Sequence, residues 1–259
     1  MSKVEGKELA ALRLEKLRRI LKERRIVRVE ELAADLGVSP VTVRRDLLHL
    51  ENRGELRRVH GGAVAAETRM EEPLFDDKTA IAAAEKKRIA EAALRLIRPK
   101  ESIFLDGGST VLALAALLHD RADLTVVTNS LRVAVELAGG GPALILIGGE
   151  LRRLSQTFVG PLTRFTLDQI HVDRAFMGTI GLTAAAGLTT TDPREAYTKR
   201  LIMEHAQEVV LLADRSKIGK VSFARFGGVE RIHTLITDKA IPASVSRDFA
   251  KQKIKVVAV

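Results

Sequence analysis

The sequence predicts two domains of different class. An N-terminal winged helix-turn-helix module over residues 1–64 is followed by a linker over residues 65–80 and by a C-terminal α/β domain with a mostly parallel sheet over residues 81–259. Three observations carry this prediction: a helix–turn–helix pattern within residues 30–52, an excess of positive charge in the first quarter of the chain, and seven short apolar runs that alternate with helical patterns in the remainder. Such runs are typical of parallel strands buried on both faces.

Composition and charge restrict the class of protein. Of the 259 residues 46% are hydrophobic, which is enough for packed cores. Residues 1–64 contain 15 Lys and Arg against 10 Asp and Glu, a net charge of +5, whereas the rest of the chain has a net charge of +4, and this distribution favours a polyanionic partner. The absence of cysteine excludes a thiol nucleophile and a thiolate metal site, and we expect no cofactor and no metal. With no apolar run of membrane-spanning length and no signal peptide, we expect a cytoplasmic protein without membrane contact.

The first two helices of the module follow from their apolar stripes. A stripe at helical spacing predicts a helix over Lys7–Glu23, and a shorter one predicts a second helix over Glu30–Leu36. The first stripe consists of Leu14, Leu17, Ile20 and Leu21. Gly37 follows the second helix, at a turn that suits the left-handed backbone conformation.

The third helix is predicted from Pro40 to about Asn52, with Ser39 as its N-cap. Its buried stripe is Val43, Leu47 and Leu50. At 100° per residue, Val41 and Arg45 point away from that stripe, in the first turns that reach base edges in helix-turn-helix docking. Arginine can bind guanine through two hydrogen bonds, and valine can contact a thymine methyl group. The residues of this helix predicted to contact DNA are Ser39, Val41, Thr42, Arg44 and Arg45.

A basic β-wing is predicted after the third helix. Gly54 ends the helix, and residues 56–62 then form a short hairpin whose Arg57, Arg58 and His60 suit contact with phosphates. Asp46 would repel phosphate, so we expect it to orient a neighbouring arginine. The alternative is a helical hairpin with an exposed basic face and no DNA partner, which requires the turn glycine, the cap, the proline and the wing to coincide by chance.

This module resembles the DNA-binding signature of the DeoR family of bacterial transcription regulators. The resemblance covers the run VEELAADLGVSPVTVRRDLLHLENRGELRRVHGGAV, and its most specific parts are TVRRDL and RRVHGGA. It implies a double-stranded DNA operator as partner. The sequence departs from the family pattern at Arg28, where a Ser or Asp cap for the second helix is usual.

The C-terminal domain is predicted from its strand and helix pattern. The linker lacks periodicity and contains Pro73, with Leu74 and Phe75 as candidate tethers to this domain. A helix over Ala83–Ile97 ends before Pro99. The predicted strands are Ser102–Leu105, Leu124–Val127, Ala143–Ile147, Arg174–Met177, Val209–Ala213, Thr234–Ile236 and Ile254–Val259.

Small and hydrogen-bonding residues follow several of these strands, where open α/β sheets bind ligands. In Asp106-Gly-Gly-Ser-Thr110, glycines allow close approach, and backbone N–H groups with two hydroxyls form an anion pocket suited to phosphate. The alternative is an ordinary strand–helix turn capped by Ser109 or Thr110. The residues predicted to bind the ligand are Asp106, Gly107, Gly108, Ser109, Thr110, Thr128, Asn129, Ser130, Gly178, Glu195, Lys199, Asp214 and Lys217.

Two of these groups have simpler alternative explanations. Glu195 and Lys199 lie four residues apart on a predicted helix and would form an ordinary surface ion pair. Asp214 would simply start a turn. With the phosphate-like loop, all three would instead contact sugar hydroxyls and balance phosphate charge.

The C-terminal domain also resembles the DeoR family, through LDGGSTVLALA, LTVVTNS, GGELRRLSQTFVG, AFMGTIG, REAYTKRLI and LLADRSKIG. This resemblance implies a sensor domain related in fold to ribose-phosphate isomerases and CoA transferases, which binds a phosphorylated sugar or related metabolite. The isomerases carry an Asp-Gly-Ala-Asp catalytic segment where this chain has Met177-Gly-Thr-Ile180, and Glu195 lies near the position of another isomerase carboxylate. One carboxylate without its partners is a poor acid–base system. We therefore predict no catalytic residues.

The leading hypothesis is a repressor of a sugar-catabolic operon whose DNA affinity depends on this metabolite. We expect a homodimer or homotetramer, because one short helix reads too few base pairs. A sugar-phosphate isomerase-like enzyme with a nucleic-acid-binding appendage is the second hypothesis, and the missing carboxylates argue against it. An architectural DNA binder is the third, and it has no need of polar clusters at strand ends.

Overall fold

The computed structural model describes residues 3–24, 26–52, 56–59, 61–65, 75–241 and 243–259. The chain divides into two compact units, Met1–Arg69 and Met70–Val259. None of the described helices combines the length and the apolar composition that a membrane span needs.

The N-terminal unit is a helix-turn-helix with a wing, as predicted. Its elements are α1 (Lys3–Arg24), β1 (Ile26–Arg28), α2 (Val29–Leu36), α3 (Pro40–Asn52), β2 (Leu56–Val59) and β3 (Gly62–Ala65). The predicted stripes meet in one core, whose buried side chains include Leu17, Ile20, Leu21, Leu32, Val43, Leu47 and Leu50, with Leu14 partly buried. Gly37 ends α2 with φ 64° and ψ 35°, the left-handed conformation expected there.

The wing has a third strand that the sequence pattern did not predict. β1 pairs antiparallel with β3, which gives the strand order β1-β3-β2. A Cβ atom on Gly62 would lie 2.2 Å from the carbonyl oxygen of Val27, so this pairing requires glycine. The same junction explains the unusual Arg28: its side chain does not cap α2, and the N–H of Val29 donates instead to the carbonyl of Gly61 in the wing turn.

The C-terminal unit is built on a seven-stranded parallel sheet in which each predicted apolar run contributes one strand. Its elements are α4 (Phe75–Ala80), α5 (Ala83–Leu94), β4 (Ser102–Leu105), α6 (Ser109–Ala115), β5 (Thr125–Thr128), α7 (Leu131–Leu137), β6 (Ala143–Leu146), β7 (Glu150–Arg152), β8 (Thr157–Val159), α8 (Arg164–Leu167), β9 (Val172–Met177), β10 (Gly181–Thr183), β11 (Gly187–Thr190), α9 (Pro193–Glu204), β12 (Ala206–Leu212), β13 (Ala224–Gly227), β14 (Thr234–Thr237), α10 (Ala243–Lys251) and β15 (Lys255–Ala258). The sheet separates two apolar cores, with Phe104 in one and Ile103 and Leu105 in the other.

The strand order creates a crevice at the centre of the sheet. The order is β15-β14-β12-β9-β4-β5-β6, so the chain runs outward from β4 through β5 to β6 and then returns to β9 on the opposite side of β4. Ligands of open parallel sheets bind where the direction reverses in this way, outside the carboxyl ends of the strands. Asp106 follows β4 and Gly178 follows β9, so both lie at this point.

Three features of this unit differ from the prediction. Residues 75–80, predicted as linker, form α4, because Phe75 is buried against the C-terminal unit and the segment is folded by that contact. The edge strand β6 is not buried on both faces, and Ile145 and Leu146 are about two-fifths exposed. The chain also forms two small additional sheets, β7-β8 and β10-β11-β13, whose short strands gave no sequence signal.

Candidate functional sites

The start of α3 presents an exposed, basic face. Val41 is 65% exposed, and Arg44 and Arg45 are exposed beside it, whereas Val43 is completely buried on the opposite side. Ser39 is the cap, as predicted, and its Oγ accepts from the N–H of Thr42 at 3.3 Å. The exposed residues at the start of α3 therefore lie on a helix whose beginning is fixed by its own cap.

Asp46 lies on the buried side of α3 and joins this helix to α1. Its carboxylate accepts from Nε of Arg13 at 2.6 Å and from Nη2 of the same residue at 3.1 Å. This hydrogen bonding raises the pKa of Arg13. Asp46 does orient an arginine, but one from α1, so its negative charge is engaged away from Arg44 and Arg45.

Of the two arginines in the wing, Arg58 is hydrogen-bonded to a carboxylate. The backbone N–H of Arg58 donates to Oε1 of Glu51 at 2.9 Å, and its Nε donates to Oε2 at 2.6 Å. These hydrogen bonds lower the pKa of the Glu51 carboxyl, the backbone bond contributing most. Arg57 lies in β2, next to this pair, but its side chain is outside the described part of the chain, as are His60 and Gly54.

In the C-terminal unit, a buried ionic network lies at the central crevice. Lys199 Nζ forms an ion pair with Asp106 and lies 3.7 Å from Oε1 of Glu195. Arg152 Nη1 of β7 lies 3.4 Å from Oε2 of Glu195. Asp106 also accepts from the N–H of Gly178 at 2.9 Å, which joins the ends of β4 and β9.

These contacts exclude the simpler explanation of the Glu195 and Lys199 pair. The two residues are 6% and 3% exposed, so they do not form a surface ion pair. Burial of this many charges is tolerated because each one has an opposite charge or a backbone partner nearby. The network therefore fixes α9 against the crevice.

The loop after β4 is shaped by its glycines rather than by a side-chain cap. Gly108 occupies the cap position of α6 at φ 140°, and neither Ser109 nor Thr110 caps the helix. A Cβ atom on Gly107 would lie 2.1 Å from Cγ2 of Thr157, so β8 packs directly on this loop. Ser109 does not cap α6 and lines the space above the loop, so its role as a binding residue stays a prediction.

That space is an open cavity, and about 800 Å³ of empty space lies in it and at its mouth, open solvent included. Nine of the thirteen predicted ligand-binding residues line it, namely Gly107, Gly108, Ser109, Thr110, Gly178, Glu195, Lys199, Asp214 and Lys217. Asp214 also starts a turn, because its carboxylate accepts from the N–H of Ser216 at 2.9 Å. Asp214 therefore both starts a turn and lines the cavity.

The other four predicted residues do not line the cavity, and each makes at least one hydrogen bond or ion pair within the fold, although Oδ1 of Asn129 has no partner among the described residues. Asp106 lies beneath the cavity in the ionic network. Thr128 donates to the carbonyl of Leu105 at 2.6 Å, Asn129 donates to that of Phe158 at 3.0 Å, and Ser130 caps α7. Thr128, Asn129 and Ser130 thus connect strands and helices instead of facing the cavity.

Four residues near the start of the C-terminal unit line the cavity without having been predicted to do so. Phe75, Lys78 and Ile81 come from α4 and the turn after it, and Lys86 comes from α5. Among the described lining residues there are four lysines against two carboxylates, Glu195 and Asp214. The single available signal in the sequence was the apolar Phe75 within an otherwise polar segment.

The chain matches two family models. Residues 13–69 match the DeoR-like helix-turn-helix domain, and residues 81–239 match the DeoR C terminal sensor domain. The putative aga operon transcriptional repressor of Escherichia coli O157:H7 is 34% identical over 95% of this chain and 93% of its own. The HTH-type transcriptional regulator GlpR of Haloferax volcanii is 36% identical over 88% and 90% of the two chains. The lactose phosphotransferase system repressor of Staphylococcus epidermidis is 34% identical over 87% and 91%.

A distant similarity to a solved structure covers about half of the chain. The ribose 5-phosphate isomerase A of Methanocaldococcus jannaschii aligns with 51% of this chain and 53% of its own at 20% identity, with a TM-score of 0.39. A likeness this weak carries no conclusion about chemistry.

Proposed function

This chain belongs to the DeoR family of transcription regulators, and we propose that it represses a sugar-catabolic operon under the control of a phosphorylated sugar bound in its C-terminal cavity. It is a DNA-binding regulator and not an enzyme, since its relatives across nearly the whole chain are named transcriptional regulators. The observation that carries the ligand part of the proposal is the excess of lysine over carboxylate among the described residues of the cavity.

The distribution of charge in the cavity suits a sugar phosphate. Lys199 is already neutralised by Asp106 and Glu195. Among the described lining residues, Lys78, Lys86 and Lys217 outnumber the remaining carboxylate, that of Asp214, by two. A phosphomonoester carries about −1.5 to −2 charges near neutral pH. Neutral residues that can form hydrogen bonds also line the cavity, among them Ser109, Thr110 and Thr179, and these would serve the sugar hydroxyls.

At the two positions where the isomerase pattern has catalytic carboxylates, this chain has apolar residues. Met177 is completely buried, and Ile180 lines the cavity where the isomerase pattern has a carboxylate. Glu195 is held by Lys199 and Arg152. Binding without chemistry is therefore the use of this cavity that its residues support.

The proposal is tested by thermal unfolding of the full chain with individual phosphorylated sugars and with their unphosphorylated counterparts. A ligand that binds only the folded chain raises the melting temperature by mass action, and we expect this with a phosphorylated sugar alone. The same compound is expected to change the affinity for duplex DNA from the chain's own promoter region in band-shift titrations. Equal effects of phosphorylated and plain sugars would contradict the proposed ligand class. We also propose that the DNA-bound form is a homodimer or homotetramer, which sedimentation measures.

Arg45→Ala is expected to weaken binding to the operator by about 1–3 kcal/mol and to relax its sequence preference. Arg45 is exposed on the predicted base-contacting face and has no role in the core of the module. Band-shift titrations against the operator and against single-base variants measure both effects, with Arg44→Ala expected to act equally or less. If Arg45→Ala bound every duplex as the unaltered chain does, the assignment of this helix face would be wrong.

Arg57→Ala is expected to weaken binding to all duplexes alike and to reduce the salt slope of binding by about one. Arg58→Ala serves as the comparison and is expected to have a smaller effect, because the Arg58 guanidinium is already paired with Glu51. The measurement is the binding constant as a function of salt concentration. If Arg57→Ala left the salt slope of binding unchanged, Arg57 of the wing would not contact a phosphate.

A further inference from the structure

One wall of the cavity comes from the segment that directly follows the predicted linker. We call residues 75–82 the strap; it comprises α4 and the two residues after it. Phe75, Lys78 and Ile81 of the strap line the cavity together with Lys86 of α5. A ligand that fills the cavity therefore contacts a segment that is continuous in the chain with the linker to the N-terminal unit.

Lys86 fastens the strap to the rest of the C-terminal unit. Its Nζ donates to the carbonyl of Lys78 and, at 2.6 Å, to the carbonyl of Ile81. The residue is only 6% exposed, and burial lowers its pKa, an effect that Lys217 and Lys78 increase and Asp214 opposes. Among the described side chains no carboxylate lies within ion-pairing distance of this ammonium group, so its acceptors there are two neutral carbonyls.

We propose that a phosphorylated ligand competes with the strap for Lys86, so that binding of the ligand loosens the strap. This inference rests on the proposed function, in which a phosphorylated sugar occupies the cavity. A phosphate accepts shorter and stronger hydrogen bonds from an ammonium group than a backbone carbonyl does. This difference in hydrogen-bond strength is greater at a buried site than in water. When Lys86 turns to the phosphate, the carbonyls of Lys78 and Ile81 lose their donor.

The two ends of the strap respond differently to that loss. Phe75 is 3% exposed, and the guanidinium carbon of Arg132 lies 5.7 Å from the centroid of its ring, so the beginning of the strap stays anchored. Ala82 at the other end has φ 54°, a left-handed conformation that a residue with a side chain adopts only when its surroundings impose it. Release of Lys86 removes a restraint close to Ala82. The change is therefore expected in the second half of the strap.

Hydrogen exchange of the full chain tests the proposal, with inorganic phosphate as the probe. At a phosphate concentration that saturates binding by calorimetry, exchange of amides in the strap is expected to rise roughly tenfold, as for the loss of one hydrogen bond to a charged group. Exchange in the loop of residues 107–111 is expected to slow. If bound phosphate slowed exchange in the strap instead, the strap would be closing over the ligand. That result would overturn the competition and leave the proposed function intact.

A variant tests, without any ligand, whether Lys86 holds the strap in place. In Lys86→Met, exchange in the strap is expected to be fast already and to be indifferent to phosphate, whereas the matched variant Lys87→Met, altered at the exposed neighbouring position, keeps slow exchange that phosphate accelerates. Slow strap exchange in folded Lys86→Met would show that Lys86 does not hold the strap and would overturn the proposal. If calorimetry detected no binding of inorganic phosphate, the competition would fail, whereas the proposed function is decided separately by the thermal unfolding with individual phosphorylated sugars.

Discussion

Lys199→Met is expected to lower the free energy of unfolding of the C-terminal unit by about 3–5 kcal/mol, the cost of removing one partner from a buried ionic cluster. Methionine has nearly the length of lysine, so the change removes the charge and leaves little empty space. Asp106, which is 1% exposed, would lose its ion pair and keep the N–H of Gly178 as partner. Glu195 would lose the nearby ammonium group and keep its contact with Arg152.

The measurement is urea unfolding of the full chain, followed by exchange of the amides of β4 and β9, which report on the C-terminal unit. Arg200→Met is the matched control, because Arg200 occupies the next, exposed position of α9 and its loss is expected to change stability by less than about 0.5 kcal/mol. Addition of Asp106→Asn to Lys199→Met is expected to restore part of the loss, since no uncompensated carboxylate then remains beneath the cavity. Equal stability of Lys199→Met and Arg200→Met would show that the network contributes nothing measurable.

The sheet was predictable because each buried strand must meet a condition that is visible in a few consecutive residues. A parallel strand covered on both faces must be apolar at successive positions, as in Phe104 and Leu105, and that requirement holds wherever the strand lies in the sheet. The ends shifted by a few residues, as in β12, which begins at Ala206 rather than at the predicted Val209. The order of the strands had no comparable local signal.

The site was predictable only in part, because one residue type serves two purposes at strand ends. Ser109 and Ser130 both lie where the chain passes from a parallel strand into a helix, yet Ser109 lines the cavity and Ser130 caps α7. Which of them lines the cavity depends on the position of β4 at the reversal of strand order, a property of the folded sheet. The sequence alone could not separate the two.

The strap was missed for a different reason. α4 has six residues, too few to show a helical period, and its helix depends on the burial of Phe75. Lys86 lies on a helix that was predicted, but its hydrogen-bond acceptors are backbone carbonyls of the strap. Every residue has a backbone carbonyl, so the sequence does not indicate which of them Lys86 binds. Contacts of this kind follow from tertiary structure alone.

Ser109→Asp is expected to lower the affinity for phosphorylated sugars by at least about 100-fold while operator binding is retained. The carboxylate would enter the loop that lines the cavity and face a ligand of like charge, an arrangement that costs several kcal/mol. Calorimetry with the phosphorylated sugar that raises the melting temperature most measures the affinity, and band shifts with the operator measure DNA binding. Ser109→Asn is the matched control, because it adds similar volume without charge and separates repulsion from crowding. If Ser109→Asp bound the sugar phosphate as tightly as Ser109→Asn does, the phosphate group would not lie near this loop, and the charge balance of Lys78, Lys86 and Lys217 would have to serve another part of the cavity.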